Sequence, residues 1–181
     1  MPPWSAIVLA GGKATRLGGI DKPALIVNGT PMLDRALQAA TGATEITVVG
    51  PRRRTTTHVR WIREHPQGSG PLAALAAGLA TITTPTVAVL AADLPQVTRG
   101  TVERLVDAVK ETGAVLIDQE ARPQWLLSAW RTTVLSEHMP ERPEGMSLHR
   151  VLSGLSPVQV QDVDGSAHDI DVPSDLEAFP D

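Results

Sequence analysis

Short apolar runs alternate along the chain with segments whose apolar residues recur every three or four positions. Residues 5–10, 45–50, 59–62, 87–92, 113–117 and 125–130 are rich in β-branched or small apolar side chains, and each predicts a buried strand. Residues 31–40 set Met32, Leu33, Ala36, Leu37 and Ala40 on one helical face. Residues 71–82 are rich in Ala and Leu behind Pro71, a favoured first helical residue. Thr98 or Thr101 is suited to cap a helix that runs through Lys110. Shorter helices are expected at 132–138, 147–152 and 173–178. This order predicts an α/β fold: a three-layer, Rossmann-like α/β/α domain around a mainly parallel sheet. Right-handed crossovers gather the loops that follow parallel strands at one sheet edge, where ligands of open α/β sheets bind. Gly11, Gly12 and Asp93 all follow predicted strands, so they are expected to share that edge.

A chain of 181 residues suits one domain, read as 1–181. The absence of cysteine excludes a disulfide framework, thiol catalysis and cysteine-bound zinc, and it fits a reducing cytoplasm. No apolar run has the length of a membrane span, and the first four residues do not resemble an export leader. Neither a membrane nor nucleic acid is expected as a partner, the latter because the net charge is −4. The charge is unevenly distributed. Residues 1–60 hold eight Lys or Arg against three acids, whereas residues 161–181 hold seven acids and no Lys or Arg. Folded together, such ends could set a cationic phosphate site beside metal-binding carboxylates.

The most informative stretch is Leu9-Ala10-Gly11-Gly12, followed by Arg16 and Lys22. A strand running into paired glycines lets backbone amides converge on anionic oxygens, while Arg16 and Lys22 add full positive charge. That combination suits a triphosphate. The loop matches neither the GxxxxGK[ST] nor the GxGxxG pattern. Asp93, in Ala92-Asp93-Leu94-Pro95, is a carboxylate at a strand end that could hold Mg²⁺; its alternative role is to cap the next helix. Gly70-Pro71-Leu72 opens a helix with small residues, where a flat base could approach the backbone. Several features are discounted. Arg52-Arg53-Arg54 reads as a solvated loop, residues 137–145 as a connector rather than a lid, and Trp125 and Trp130 as packing. The five histidines lack HExxH spacing.

The run Leu9-Ala10-Gly11-Gly12, Arg16-Leu17-Gly18 and Asp21-Lys22 resembles the LAGGxxxRxGxDK motif of the molybdenum cofactor guanylyltransferases. Three later segments extend the likeness: Gly70-Pro71-Leu72-Ala73, Asp93-Leu94-Pro95, and Asp169-Ile170-Asp171 before Pro173. The resemblance implies Mg²⁺-dependent transfer of GMP from GTP to the phosphate of molybdenum-bound molybdopterin, releasing pyrophosphate. It gives Arg16 the outer phosphates, Lys22 the α-phosphate, and Asp93 and Asp171 the metal. It assigns the nucleotide to Leu9, Ala10, Gly11, Gly12, Gly70, Pro71 and Leu72 as well. Arg16 and Lys22 are expected to be solvent-accessible. Other molybdenum-cofactor biosynthetic proteins are the implied protein partners. Asp171 and Val172 depart from the commoner Asn-Thr, and the Asp form also occurs in related cytidylyltransferases. A molybdopterin cytidylyltransferase, a transferase for another phosphorylated metabolite and a non-catalytic nucleotide-binding module are the alternatives.

Overall fold

The computed structural model describes residues 2–11 and 21–168. Among them a seven-stranded sheet runs in the order β5-β4-β1-β6-β8-β7-β9. Its strands are β1 (Trp4–Leu9), β4 (Ile46–Val49), β5 (Arg60–Ile62), β6 (Thr86–Ala91), β7 (Gly113–Ile117), β8 (Pro123–Arg131) and β9 (Val158–Gln161). All neighbours pair in parallel except β8, which runs against both β6 and β7. The sheet is therefore mainly parallel, as the alternation of strands and helices predicts. The central strands β1, β4 and β6 are buried along their whole length, which explains their unbroken apolar runs.

Helices cover both faces. Among the described residues they are α1 (Met32–Ala39), α2 (Pro71–Leu79), α3 (Arg99–Ala108), α4 (Thr132–Glu137) and α5 (Leu148–Leu152). Leu33, Ala36 and Leu37 of α1 and Val102, Leu105 and Val106 of α3 join Ala6, Val8, Val48, Ala88 and Leu90 in one core. Leu72, Leu75 and Leu79 of α2, Leu135 of α4 and Leu152 of α5 close over Ile7, Leu9, Val49, Val87, Val89 and Trp130 on the other face. These two apolar layers make the three-layer arrangement. Thr98, not Asp93, caps α3 through its side chain, accepting a bond of 3.1 Å from the Thr101 amide. Four described elements lie outside the sequence expectation: 3-10 turns at Lys22–Ala24 and Ser153–Leu155, a hairpin of β2 (Ile26–Val27) with β3 (Thr30–Pro31), and the edge strand β9 (Val158–Gln161). The expected helix at 173–178 falls outside the described residues. No described helix is long and apolar enough to cross a membrane.

Candidate active site

Strand register brings the candidate residues to one edge. Leu9 pairs with Val49 on one side and Ala91 on the other, so the residues after each strand emerge side by side. The Ala10 amide donates to Val49 O at 2.9 Å and the Ala92 amide to Leu9 O at 3.0 Å, extending the sheet one step into both loops. Gly11 and Asp93 are the next residues out. Gly50, which follows β4, touches the same point: a Cβ there would stand 2.6 Å from the Ala10 carbonyl oxygen. Only glycine fits that approach.

Lys22 opens its 3-10 turn with Nζ 3.7 Å from an Asp93 carboxylate oxygen. Its side chain is only 15% exposed, so the solvent access expected of Lys22 is limited. Asp93 is 30% exposed. Gly12, Arg16 and Asp171 lie outside the described residues. Leu9 and Ala10 are buried, so either could serve a nucleotide only through its backbone. The same holds for Leu72, which is fully buried in the α2 core. Gly70, at φ +97°, turns the chain into α2, and the exposed Pro71 begins the helix.

Four further residues carry no ligand role in the sequence reading. Arg53 is only 16% exposed rather than solvated. Its Nε donates to Asp21 at 2.8 Å, its Nη2 to the same carboxylate at 2.5 Å, and its Nη1 to Ala10 O at 2.9 Å. The Arg53 hydrogen bonds hold the Asp21 carboxyl below its ordinary pKa, outweighing burial, which pushes it up. Glu64 is a buried carboxylate at 8% exposure, accepting from the Gly68 amide at 2.8 Å beside the Gly70 turn. Its buried position follows β5, and no motif in the sequence singles it out. Gly145 donates to Ser69 O at 2.9 Å, so the 137–145 connector touches the Gly70 segment at its far end. Trp125, read as packing, lies in an irregular stretch of β8, where β7 pairing skips from Ser128 to Gln124. Ser128 Oγ donates to Trp125 O at 2.7 Å and accepts from Trp130 Nε1 at 2.8 Å. The half-buried Trp125 lines a cleft of about 390 Å³ with His149, Ser153, Ser156 and Gln159, and its indole meets His149 edge-on at 5.8 Å. Trp130, in contrast, is core, as expected.

The route toward the closing motif is also anchored at this edge. Asp162 accepts from the amides of Asp164, Gly165, Ser166 and Ala167. Asp164 accepts from Thr101 at 2.7 Å and Ser166 at 2.7 Å, with Arg104 at 3.4 Å. Ser166 Oγ donates to Gln96 O at 3.3 Å, three residues after Asp93. The chain is therefore tied to the Asp93 loop just before residues 169–171, which are outside the described part.

The family described as MobA-like NTP transferase domain matches residues 6–162. A molybdenum cofactor guanylyltransferase from Vibrio atlanticus is 30% identical over 117 residues, which are 62% of this chain and 60% of that protein. The chain thus matches about six-tenths of the length of this curated relative. Among solved structures, a molybdopterin-guanine dinucleotide biosynthesis protein A from Archaeoglobus fulgidus superposes with a TM-score of 0.71 at 20% identity, covering 96% of this chain and 95% of that one. A 2-C-methyl-D-erythritol 4-phosphate cytidylyltransferase from Thermus thermophilus gives a TM-score of 0.73 at 20% identity, with 96% and 95% coverage. Both structural likenesses speak to the fold.

Proposed function

The chain belongs to the MobA-like NTP transferase domain family, and from that premise we propose that it is a cytoplasmic enzyme transferring GMP from GTP to a molybdopterin-type acceptor. The observation that carries this reading is the meeting of Lys22 and Asp93 beside Gly11 at one sheet edge. In the reaction an acceptor phosphate oxygen attacks the α-phosphorus, and the bond to the bridging oxygen breaks as pyrophosphate leaves. The protein supplies position and charge, with no covalent nucleophile. Lys22 bears on the phosphate under attack, while Gly11 and Gly12 offer amides and Arg16 takes the outer phosphates.

Asp93 fits a Mg²⁺ ligand: it is a hard, partly exposed oxygen donor beside the phosphate loop. No group of three or more His, Cys, Asp or Glu among the described residues could form a protein-only cage. Mg²⁺ is commonly held by one or two carboxylates together with substrate phosphates. Asp171 is the proposed second carboxylate. When bound, Mg²⁺ would neutralise charge developing on the phosphate oxygens.

Guanine is the proposed base, its polar edge read by backbone groups at the Gly70-Pro71-Leu72 helix start. The Trp125 cleft, with Ser153, Ser156 and Gln159 among its lining, is the proposed seat of the acceptor ring. The test is pyrophosphate release with each nucleoside triphosphate and purified molybdopterin acceptor, with and without Mg²⁺. Release dependent on GTP, acceptor and Mg²⁺ is expected. Predominant cytidine incorporation would favour the cytidylyl alternative, and nucleotide binding without turnover on any acceptor would favour a regulatory module.

A further inference from the structure

We propose that Arg53 is a positioning residue that fastens both ends of the nucleotide loop and cancels a carboxylate beside it. The consequence for turnover rests on the nucleotidyl-transfer reading; the contacts themselves do not. Arg53 comes from neither flank of the loop but from the turn after β4. Its Nε and Nη2 grip Asp21, and its Nη1 donates to Ala10 O at 2.9 Å and Pro51 O at 3.0 Å. Ala10 immediately precedes Gly11, and Asp21 immediately precedes Lys22. One guanidinium therefore fixes the points where the glycine loop leaves the sheet and where it returns to present Lys22.

Arginine is the side chain this requires. Its planar fork can grip a carboxylate bidentately and still turn a further N–H to a carbonyl. A lysine ammonium is a single centre and cannot reproduce that geometry. Gly50 lets the turn come close enough, since a Cβ would be 2.6 Å from the oxygen that Arg53 holds. The fork also answers an electrostatic difficulty. Asp21 is 51% exposed and adjoins the lysine meant for a triphosphate, so its negative charge would repel the substrate if left unpaired. Arg52 and Arg54, from the same run, are exposed.

The test compares wild type with Arg53→Ala, Arg53→Lys, Arg53→Ala combined with Asp21→Asn, and Arg52→Ala as control. Hydrogen exchange over residues 10–22 reads the tether, and steady-state kinetics with GTP and acceptor reads its effect. Arg53→Ala is expected to speed exchange in that segment. It should also raise the KM for the nucleotide by about tenfold or more, with acceptor KM unchanged. Arg53→Lys should recover only part of the loss, and removing the Asp21 charge should partly rescue Arg53→Ala. Arg52→Ala should match wild type. If Arg53→Ala fails to fold, Asp21→Asn alone breaks the same fork and should raise exchange in residues 10–22. Unchanged exchange with nucleotide KM within about twofold of wild type overturns the positioning role while leaving the transfer reading intact. A wild-type protein that binds no nucleotide overturns the transfer reading and the positioning role together, and exchange then still tells whether the tether exists.

Discussion

Lys22 and Asp93 are the pair through which single residues control the proposed chemistry. They stand 3.7 Å apart, and both retain some contact with solvent. Removing Lys22 takes away one preorganised positive donor, an effect typically costing about 2.7–4 kcal/mol of transition-state stabilisation. The ion pair contributes much less to folding, because partly exposed pairs are screened by water. Lys22→Ala is therefore expected to lower kcat by about 10²–10³-fold while leaving the denaturation midpoint nearly unchanged. Steady-state turnover and urea unfolding of the same preparation check both halves; near-normal kcat would remove Lys22 from the mechanism. The sequence makes these two residues legible because Asp93 follows a predicted strand and Lys22 closes the glycine-rich motif. Arg53 and Glu64 are less visible. A linear run of three arginines does not say which guanidinium turns inward, and a single buried glutamate carries no spacing signal.

Packing between elements reverses a familiar helix preference at Gly78. Within a helix, glycine is ordinarily worse than alanine by roughly 0.5–1 kcal/mol. Gly78, however, is where α2 presses on the sheet: a Cβ there would lie 2.8 Å from Ile7 Cγ2 and 3.2 Å from Val49 Cγ2. Both neighbours are fully buried, so the overlap must be absorbed by the core or by moving the helix. Overpacking of this sort typically costs about 1–3 kcal/mol, which outweighs the helical gain. Gly78→Ala is expected to destabilise, and because α2 begins at Gly70-Pro71, nucleotide affinity should weaken as well. Chemical denaturation together with nucleotide titration tests this; a stabilised variant would mean that α2 does not sit this tightly on β1. The strands and longer helices are readable from apolar periodicity because burial dictates those positions. By contrast, β9 is Val158-Gln159-Val160-Gln161, a half-exposed edge strand whose apolar–polar alternation is a strand signal only four residues long. The β2–β3 hairpin turns at Asn28-Gly29, both at positive φ, so its local signal was present but its strands are only two residues long.

Across the whole molecule, sheet register gathers the loops while a network of polar bonds binds the described end of the chain back onto α3. Asp164 is central to that closure. Burial alone would push its pKa up, but hydrogen bonds from Ser166, Thr101 and Thr98, with the nearby Arg104 charge, hold it well below the usual carboxylate range. The sign of the pH effect follows directly. A carboxylate whose folded pKa is depressed stabilises the fold above its unfolded value of about 3.9, and that contribution is lost as pH falls toward the folded value. Asp21 and Asp118 are shifted in the same direction by Arg53 and by bonds from Arg122, so acidification should weaken several ties together. Wild-type stability is therefore expected to fall steeply below about pH 4. Asp164→Asn should be less stable at pH 7, because the amide cannot accept as strongly from the Thr98–Thr101–Arg104 cluster. It should also lose less stability than wild type between about pH 5 and pH 3, since one acid-sensitive term is gone. Thermal unfolding across that range measures the difference in slope. Parallel curves for the two proteins would show that Asp164 does not anchor the closing segment through its charge; convergence at low pH, accompanied by weakened nucleotide turnover at pH 7, would tie the same network to the geometry of the Asp93 edge.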